Sequence, residues 1–539
     1  MRFSFLLSTL TIICQQGRSN LVLVHALHSL SVNTTSGTAY GLINGSAPDV
    51  AQFLGVPYGE APIGGLRFRP PQRKLPMDGR GIDATKPAGL CPQYHEDRER
   101  YPSVYTYDAP WLQPWGKWTE DCLNLNIWAP YSYKLNADSA GDSELLPVII
   151  WIFGGGFYEG GLDTEAMDPA QWVQRSKEHI VVAINARVNI FGFPNSRGLF
   201  EENANLNLGL LDQRSAVEWT RDNIPSFGGD PSRMVLWGQS SGAASTDYYN
   251  YAYPHDPIVT GYIQHSGSVF ATGESRDSAM LNFSTVARNV GCADLSPRDE
   301  LRCMQVNASA ADIVGFWQGY NLRHGQEQLS FTTIVDGITK FGNYTERAVA
   351  GNYSKLPAIV GTNYNEMASL IPWPGKAGPN ITELRIETQA HQQCPANYNT
   401  ELRFHTNSTT FRYLNNASFP NISPRPFEGA YHTSELPLLF GTFDQYGFSD
   451  MDPTPSPLQY ATSAKWQDLY VAFARDPVGA LPKSGWPAWA PGPAGKGKVL
   501  LWNPKDEQGR TERVARLIDL DEVVEPCYGV TWSIQTPSR

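Results

Sequence analysis

Uninterrupted runs of apolar residues recur along the chain and end in glycine or small polar residues. The longest covers 145–153 and stops at Gly154-Gly155-Gly156, further runs cover 181–184, 234–237 and 357–361, and the short segment 263–265 is an additional strand candidate. Short apolar runs bounded by such residues are typical of buried strands. The pattern therefore predicts a series of buried strands, each followed by a turn or loop.

The run at 234–237 leads directly into Gly238-Gln239-Ser240-Ser241-Gly242. A strand followed by Gly-x-Ser-x-Gly is the pattern of a nucleophile elbow, in which the serine lies on a tight strand-to-helix turn. Any larger side chain at either glycine would clash within the turn. The pentapeptide alone is common by chance, so the preceding strand is what favours Ser240 as a nucleophile.

A serine nucleophile needs a base, a group that orients the base, and donors for the oxyanion. The glycine triplet after 145–153 allows backbone N–H groups to approach a substrate closely. Together with the residue after the nucleophile, it predicts an oxyanion hole formed by Gly155, Gly156 and Ser241. A flexible turn is the alternative interpretation of the triplet, and the downstream elbow favours the donor role.

Further blocks at 53–58, 66–68, 120–128 and 207–214 resemble the type B carboxylesterases, the α/β-hydrolase branch of cholinesterases and fungal lipases. Asn124 stands where that family usually has Tyr or Thr. The resemblance implies an α/β-hydrolase fold with a central, mostly parallel sheet flanked by helices and with cap and flap insertions. It also implies one domain over 27–539.

The family's triad runs Ser, Glu, His along the chain. Glu366 follows the run at 357–361 in a segment that resembles the family's Gly-x-Asn-x-x-Glu, and it is the predicted acid. Three later histidines could be the base: His391, His405 and His432. His432 lies in a block that resembles the family's His-x-x-Glu-hydrophobic-Phe-Gly, whereas His405 adjoins a glycosylation sequon and His391 has no catalytic context.

A Ser240–Glu366–His432 triad predicts carboxylic ester hydrolysis. His432 would take the proton of Ser240 during attack and return it to the leaving alcohol, and water would then release the acid from the acyl-enzyme. No cofactor and no metal is expected, since the sequence lacks the clustered Cys and His spacings of a zinc site. A non-catalytic adhesion module of the same fold is the alternative from another class, but such modules usually lack the serine.

The N-terminus carries Arg2, an apolar run at 3–14 and the small-residue site Val24-His25-Ala26. These features predict a signal peptide over 1–26, with cleavage near Ser19 as an alternative, and hence secretion to the extracellular space without a stable membrane anchor. The formal charge is -11, and no basic run indicates nucleic acid as a partner. A small-molecule or lipid ester is the expected partner, and the sequence leaves the oligomeric state open.

Cys14 lies in the predicted leader, so an even number of cysteines remains, as expected of an oxidised secreted protein. The family resemblance implies the pairs Cys91–Cys122 and Cys292–Cys303, and it leaves Cys394 with Cys527; free thiols are the alternative. Crowded Asn-x-Ser/Thr sequons imply a cap with much exposed surface. The glycosylation candidates are Asn33, Asn44, Asn282, Asn307, Asn343, Asn352, Asn380, Asn407, Asn416 and Asn421.

By the same resemblance, the loop between Cys91 and Cys122 corresponds to the cholinesterase gorge wall or the lipase lid. Its aromatic residues could bind substrate or pack the loop, and we expect packing for about half of them. Leu112 occupies the place of the choline-binding tryptophan, with Trp111 one residue off, and Gln239 that of the usual glutamate before the nucleophile, which disfavours a cholinesterase. The charged segment 96–100 leaves a lipase or sterol esterase with interfacial activation open. The aromatic residues are Tyr94, Tyr101, Tyr105, Tyr107, Trp111, Trp115 and Trp118.

Overall fold

The structure is a computed structural model of the chain. It describes residues 30–76, 80–94, 103–114, 116–131, 144–202, 205–273, 275, 277–324, 327–372, 375, 377–445, 454–491, 497–503, 513–519 and 527. The predicted signal peptide, the charged segment 96–100 and the aromatic residues Tyr101 and Trp115 lie outside the described residues.

Most described strands join one large sheet. The strands are β1 (Ser31–Thr34), β2 (Gly37–Tyr40), β3 (Leu42–Ile43), β4 (Val50–Pro57), β5 (Ile82–Asp83), β6 (Asn124–Pro130), β7 (Leu146–Ile152), β8 (Ile180–Ile184), β9 (Gly229–Gln239), β10 (Gly261–His265), β11 (Ala358–Asn363), β12 (Thr410–Asn415), β13 (Lys498–Trp502) and β14 (Ala515–Asp519). The large sheet has the order β14-β13-β12-β11-β10-β9-β7-β8-β6-β4-β3, and β1, β2 and β5 form a small separate sheet.

The middle of the large sheet is parallel. Strands β8, β7, β9, β10, β11, β12 and β13 pair in parallel, whereas β3, β4 and β6 at one edge and β14 at the other pair antiparallel. The predicted mostly parallel sheet is confirmed. Because the carboxyl ends of parallel strands lie along one edge, residues that follow β9, β10, β11 and β12 are brought together.

Helices lie between the strands and in the insertions. They are α1 (Val104–Tyr107), α2 (Ala170–Ser176), α3 (Asn189–Gly192), α4 (Arg197–Glu201), α5 (Leu208–Asn223), α6 (Ser241–Ala252), α7 (Asn282–Asn289), α8 (Pro297–Val306), α9 (Ala310–His324), α10 (Tyr344–Val349), α11 (Ile381–Thr388), α12 (Cys394–His405), α13 (Leu436–Phe440), α14 (Pro457–Arg475) and α15 (Ala480–Lys483). In the part of the chain that the structure describes, none of these helices has the length and apolar character needed to span a bilayer.

The apolar runs form strands because both faces of the sheet are covered. In β7, Ile149 and Trp151 belong to one buried cluster, whereas Val148, Ile150 and Ile152 belong to the cluster on the opposite face. A strand buried on both faces has no polar alternation, which is why these segments are continuously apolar in the sequence. The strand boundaries differ from the apolar runs by one or two residues, except that β9 begins at Gly229, five residues before its run.

Three disulfides connect parts of the chain that the fold brings together: Cys91–Cys122, Cys292–Cys303 and Cys394–Cys527. The pairing is the one that the family resemblance implies. The first closes the loop that carries α1, the second ties α8 to the segment before it, and the third holds residue 527 on α12. The long connection from β10 to β11 carries α7, α8, α9 and α10. Helices α7, α8 and α9 pack into a separate core cluster around Phe283, Leu301 and Trp317, to which Phe68 and Phe191 also belong.

Candidate active site

Ser240 lies on the predicted sharp turn between β9 and α6. Its φ is 58° and its ψ is -125°, a region that is strained for any residue with a side chain. A Cβ on Gly238 would lie 2.3 Å from the backbone of Gly242, and a Cβ on Gly242 would lie 2.2 Å from Ile152 O. The turn therefore requires both glycines, and it leaves Ser240 partly accessible to solvent.

Glu366 and His432 form a buried pair next to this turn. His432 Nδ1 lies 2.6 Å from Glu366 Oε2, and Glu366 Oε1 accepts hydrogen bonds from Ser266 Oγ at 2.6 Å and Asn363 N–H at 2.6 Å. Neither Glu366 nor His432 is more than a few per cent exposed. A carboxylate with this many donors is held in one position, and it orients the imidazole so that Nε2 faces the elbow.

The imidazole nitrogen that faces the elbow is paired with Gln239. The Gln239 side-chain nitrogen lies 3.1 Å from His432 Nε2. Because Nδ1 donates its proton to Glu366, Nε2 is the acceptor and the Gln239 amide is the donor. Within the described residues, Ser240 Oγ has no hydrogen bond to His432, so the serine and the histidine are adjacent but not yet joined.

The glycine loop after β7 lies against Ser240. A Cβ on Gly154 would lie 3.0 Å from Ser240 Cβ, which shows how closely the loop approaches the serine. Gly155 and Gly156 have φ values of 118° and 62°, so this backbone conformation favours glycine. Ser241 begins α6, where free backbone N–H groups and the helix dipole favour a negative charge. The loop that carries Gly155 and Gly156 therefore approaches Ser240 closely through Gly154, and Ser241 follows the serine directly.

A second buried contact between a histidine and a carboxyl group lies beneath the elbow. His265 Nδ1 lies 3.2 Å from Glu435 Oε1, His265 Nε2 lies 2.5 Å from the Tyr470 hydroxyl, and His265 O accepts the N–H of Ser240 at 2.8 Å. Burial acts to raise the pKa of the Glu435 carboxyl, but hydrogen bonds from His265 and Asn363 hold that pKa below its ordinary value. The carboxylate therefore stays ionised and holds His265 at the end of β10, the residue whose carbonyl accepts the N–H of Ser240.

The described aromatic residues of the loop between Cys91 and Cys122 mostly pack onto the body. Tyr94 lies against Trp317 with 4.4 Å between ring centroids, Tyr105 and Trp111 pack on the main core, and Trp118 packs on the α7–α9 core. Tyr107 is exposed. Packing thus accounts for more than the expected half of the described rings.

The remaining candidates lie away from the elbow. His391 is exposed and pairs with Glu387 at 3.0 Å, and His405 is exposed at the end of α12. Of the sequons, Asn421 is 3% exposed, and its amide nitrogen donates to Phe443 O at 2.7 Å. The other nine asparagines are exposed or half-buried. Among the described residues, the structure contains no cluster of His, Cys, Asp and Glu that could hold a metal ion.

Several residues of the site were not singled out in the sequence. Ser266 and Asn363 hold Glu366, Glu435 contacts Asn363 in turn, and Gln239 was noted only as a departure from the family pattern. Ser266 directly follows β10, and β10 pairs with β9, so a hydroxyl at the end of the strand beside the nucleophile was the available signal. Tyr105 also reaches the site, because its hydroxyl donates to His432 O at 2.9 Å.

The sheet order and the serine turn at the end of a central parallel strand are those of an α/β-hydrolase. A solved PNB esterase has the same fold, with a TM-score of 0.72 and 22% identity over 93% of this chain and 100% of that chain. Residues 28–383 match the model of the carboxylesterase family. The chain belongs to that family and is a carboxylic ester hydrolase.

Curated relatives of the chain include both esterases and lipases. Secreted lipase 5 of Gibberella zeae is 40% identical over 85% of this chain and 88% of its own, and a chlorogenic acid esterase of Aspergillus niger is 41% identical over 86% and 89%. The acetylcholinesterase of Electrophorus electricus is 33% identical over 61% of this chain and 51% of its own. Because these relatives include both lipases and esterases, their names do not indicate whether this chain acts on dissolved or on aggregated esters.

Proposed function

We propose that the protein is a secreted serine esterase that works through Ser240, His432 and Glu366 and an acyl-enzyme intermediate. The observation that carries the proposal is the 2.6 Å contact between His432 and a buried Glu366, with Nε2 directed at the strained turn of Ser240. A buried carboxylate on Nδ1 fixes the tautomer that can accept a proton at Nε2. The constellation supports acyl transfer without a cofactor.

The first chemical step requires an exchange of partners at His432. In the resting site, Nε2 accepts a hydrogen bond from Gln239. When an ester enters, Ser240 Oγ takes that place, its proton passes to Nε2 and its oxygen forms a bond to the acyl carbon. The carbonyl oxygen becomes an oxyanion against the N–H groups of Gly155, Gly156 and Ser241. The proton then passes from Nε2 to the alcohol as the ester bond breaks.

Water completes the cycle on the same groups. It takes the place of the departed alcohol and loses a proton to His432 Nε2 as its oxygen attacks the acyl carbon. Collapse of the second oxyanion returns the proton to Ser240 Oγ and releases the carboxylic acid. Glu366 stabilises the imidazolium of each step, and the Ser266 and Asn363 donors keep that carboxylate in place.

Hydrolysis of a p-nitrophenyl ester series, from acetate to palmitate, tests the proposal. Ser240→Ala and Glu366→Gln should each lower kcat by at least about a thousandfold, because each removes one member of the proposed triad, whose residues act together. The circular dichroism spectrum should stay unchanged. Ser232→Ala is the matched control, since Ser232 lies exposed near the start of β9. Ester turnover by Ser240→Ala close to the wild-type rate would overturn the assignment. A chain that folds and turns over no ester would favour the adhesion alternative.

We further propose removal of a signal peptide within 1–26 and N-glycosylation at the accessible sequons. Exposed Asn33, Asn307 and Asn352 offer their amides to solvent, whereas both amide atoms of Asn421 are engaged, one by Phe443 O and the other by Gln459. Enzymatic deglycosylation in heavy-oxygen water, followed by peptide mass spectrometry, should label the exposed sites and not Asn421. Edman sequencing of the secreted protein locates the cleaved bond.

A further inference from the structure

The loop segment that carries α1 is joined to the candidate base itself. The Tyr105 hydroxyl donates to the His432 carbonyl at 2.9 Å and accepts a hydrogen bond from Ser369 Oγ at 3.1 Å. Its ring packs edge-on against Tyr431, with 6.5 Å between centroids. Burial raises the pKa of the Tyr105 phenol above its ordinary value, so the hydroxyl remains a donor at any pH at which the enzyme works.

A charged contact holds the same segment one turn further along. Asp108 is buried, and its two carboxylate oxygens accept from Arg425 Nε at 2.7 Å and Arg425 Nη2 at 3.0 Å. Arg425 N–H in turn donates to Glu428 Oε2 at 3.2 Å. Movement of the segment away from the body would leave Asp108 without its partner and Arg425 beside a buried carboxyl group. Bidentate pairs of this kind have one favoured geometry.

The apolar side chains of the segment are already covered. Val104, Ala109 and Leu112 are each at most 5% exposed and belong to the main core cluster. A lid that opens at a lipid surface must carry an apolar inner face that it can transfer from the protein to the lipid. Here that face is part of the core under the sheet, so opening would expose core residues such as Ala166 as well.

We infer that residues 103–112 are a fixed wall of the active site, with Tyr105 as a positioning residue for His432, and that the enzyme hydrolyses dissolved esters without interfacial activation. The inference rests on the proposed ester hydrolysis and narrows its substrates to esters in true solution. Because the wall and the base share a hydrogen bond, the closed position of the wall is also the active one. An open position would remove the Tyr105 donor from the His432 carbonyl, which also accepts from Ser369 Oγ and Thr433 Oγ1.

The test is the rate of tributyrin hydrolysis as its concentration crosses the solubility limit. We expect a hyperbolic curve that continues through the limit without a step. A rise of about tenfold or more at the limit would overturn the inference. Hydrolysis of p-nitrophenyl acetate, which stays dissolved, is measured in parallel. If the enzyme hydrolyses p-nitrophenyl acetate and its rate on tributyrin rises at the solubility limit, the fixed wall is contradicted and the proposed ester hydrolysis is not. Loss of all ester turnover contradicts the proposed function instead.

Tyr105→Phe tests the positioning role with little change in volume. Because the phenol acts on His432 and not on substrate, we expect kcat to fall about three- to tenfold with KM unchanged. The acidic limb of the kcat/KM profile should also move, since the His432 carbonyl loses one of its donors and keeps those of Ser369 Oγ and Thr433 Oγ1. Tyr107→Phe is the matched control from the same turn, where Tyr107 is exposed, and should behave as wild type. An unchanged kcat in Tyr105→Phe would refute the role of this hydroxyl.

Discussion

Gly242→Ala should disable the enzyme while leaving most of its structure in place. A Cβ at this position would lie 2.2 Å from Ile152 O, 2.5 Å from Phe153 O and 2.9 Å from Ile152 C. All three atoms belong to the backbone at the end of β7, so no side chain can rotate away. Ordinary contact begins near 3.4 Å, and the start of α6 must therefore separate from β7 by roughly 1 Å.

The size of the effect follows from that displacement. Overpacking of a filled interior lowers the free energy of unfolding by about 1–3 kcal/mol. The same shift parts the Ser241 N–H on α6 from the Gly155 and Gly156 N–H groups after β7. Because oxyanion donors must converge on one atom, a misplacement of about 1 Å lowers kcat by about a hundredfold. We therefore expect the loss of activity to exceed what the loss of stability explains.

Two measurements on the same sample separate the effects: kcat on p-nitrophenyl acetate and unfolding in urea. Gly315→Ala is the matched control, because Gly315 lies inside α9 and a Cβ added there would meet no atom within 4 Å. That substitution should stabilise the protein by about 0.5–1 kcal/mol and leave kcat unchanged. A Gly242→Ala enzyme with wild-type kcat would refute the proposed alignment of the two donor elements.

Three further substitutions test the electrostatics. Burial raises the pKa of Glu428 to about 9, so the folded chain holds a proton that the unfolded chain releases above about pH 4.5. The stability of the fold therefore falls as pH rises from about 4.5 to about 9, and Glu428→Gln should flatten the dependence of Tm on pH. Asp212→Ala leaves the buried Arg187 unpaired and should lower the free energy of unfolding in urea by about 3–5 kcal/mol. Gln239→Glu places a carboxylate beside His432 and should raise the acidic limb of kcat/KM by about 1–2 pH units.

A specific result would contradict each of these three predictions. Equal Tm profiles for wild type and Glu428→Gln from about pH 5 to pH 9 would mean that the carboxyl group is ionised in the fold. If Asp212→Ala lowers the free energy of unfolding by less than about 1 kcal/mol, the Asp212–Arg187 pair contributes no more than an exposed surface ion pair. An unmoved acidic limb in Gln239→Glu would mean that residue 239 does not face the imidazole during catalysis.

The elements that could be predicted from the sequence are those with a local signature. The strand β7, the elbow at Ser240 and the glycine loop each follow from a short stretch of chain, because burial on both faces and a strained turn restrict which residues fit. Glu366 and His432 were found through blocks shared with a family, and the structure then placed them 2.6 Å apart. Spacing alone left three histidines to choose from.

The supporting residues had no such local signature. Ser266 contacts Glu366 across 100 residues of chain, and Tyr105 contacts His432 across 327. Neither contact follows from a motif, since a serine after a strand and a tyrosine in a loop are both common. Gln239 was visible as a departure from the family pattern, but its role as the partner of Nε2 depends on where the later loop places the imidazole.

The sequence by itself therefore determined the strands and the strained turn at Ser240, because these depend on neighbours within a few residues. The tertiary structure decided which groups hold the base, which face of the loop is buried, and that Asn421 is enclosed whereas other sequons are open. The physical reason is that hydrogen bonds and burial at the site join segments hundreds of residues apart. Their geometry exists only after the parallel strands have set their carboxyl ends side by side.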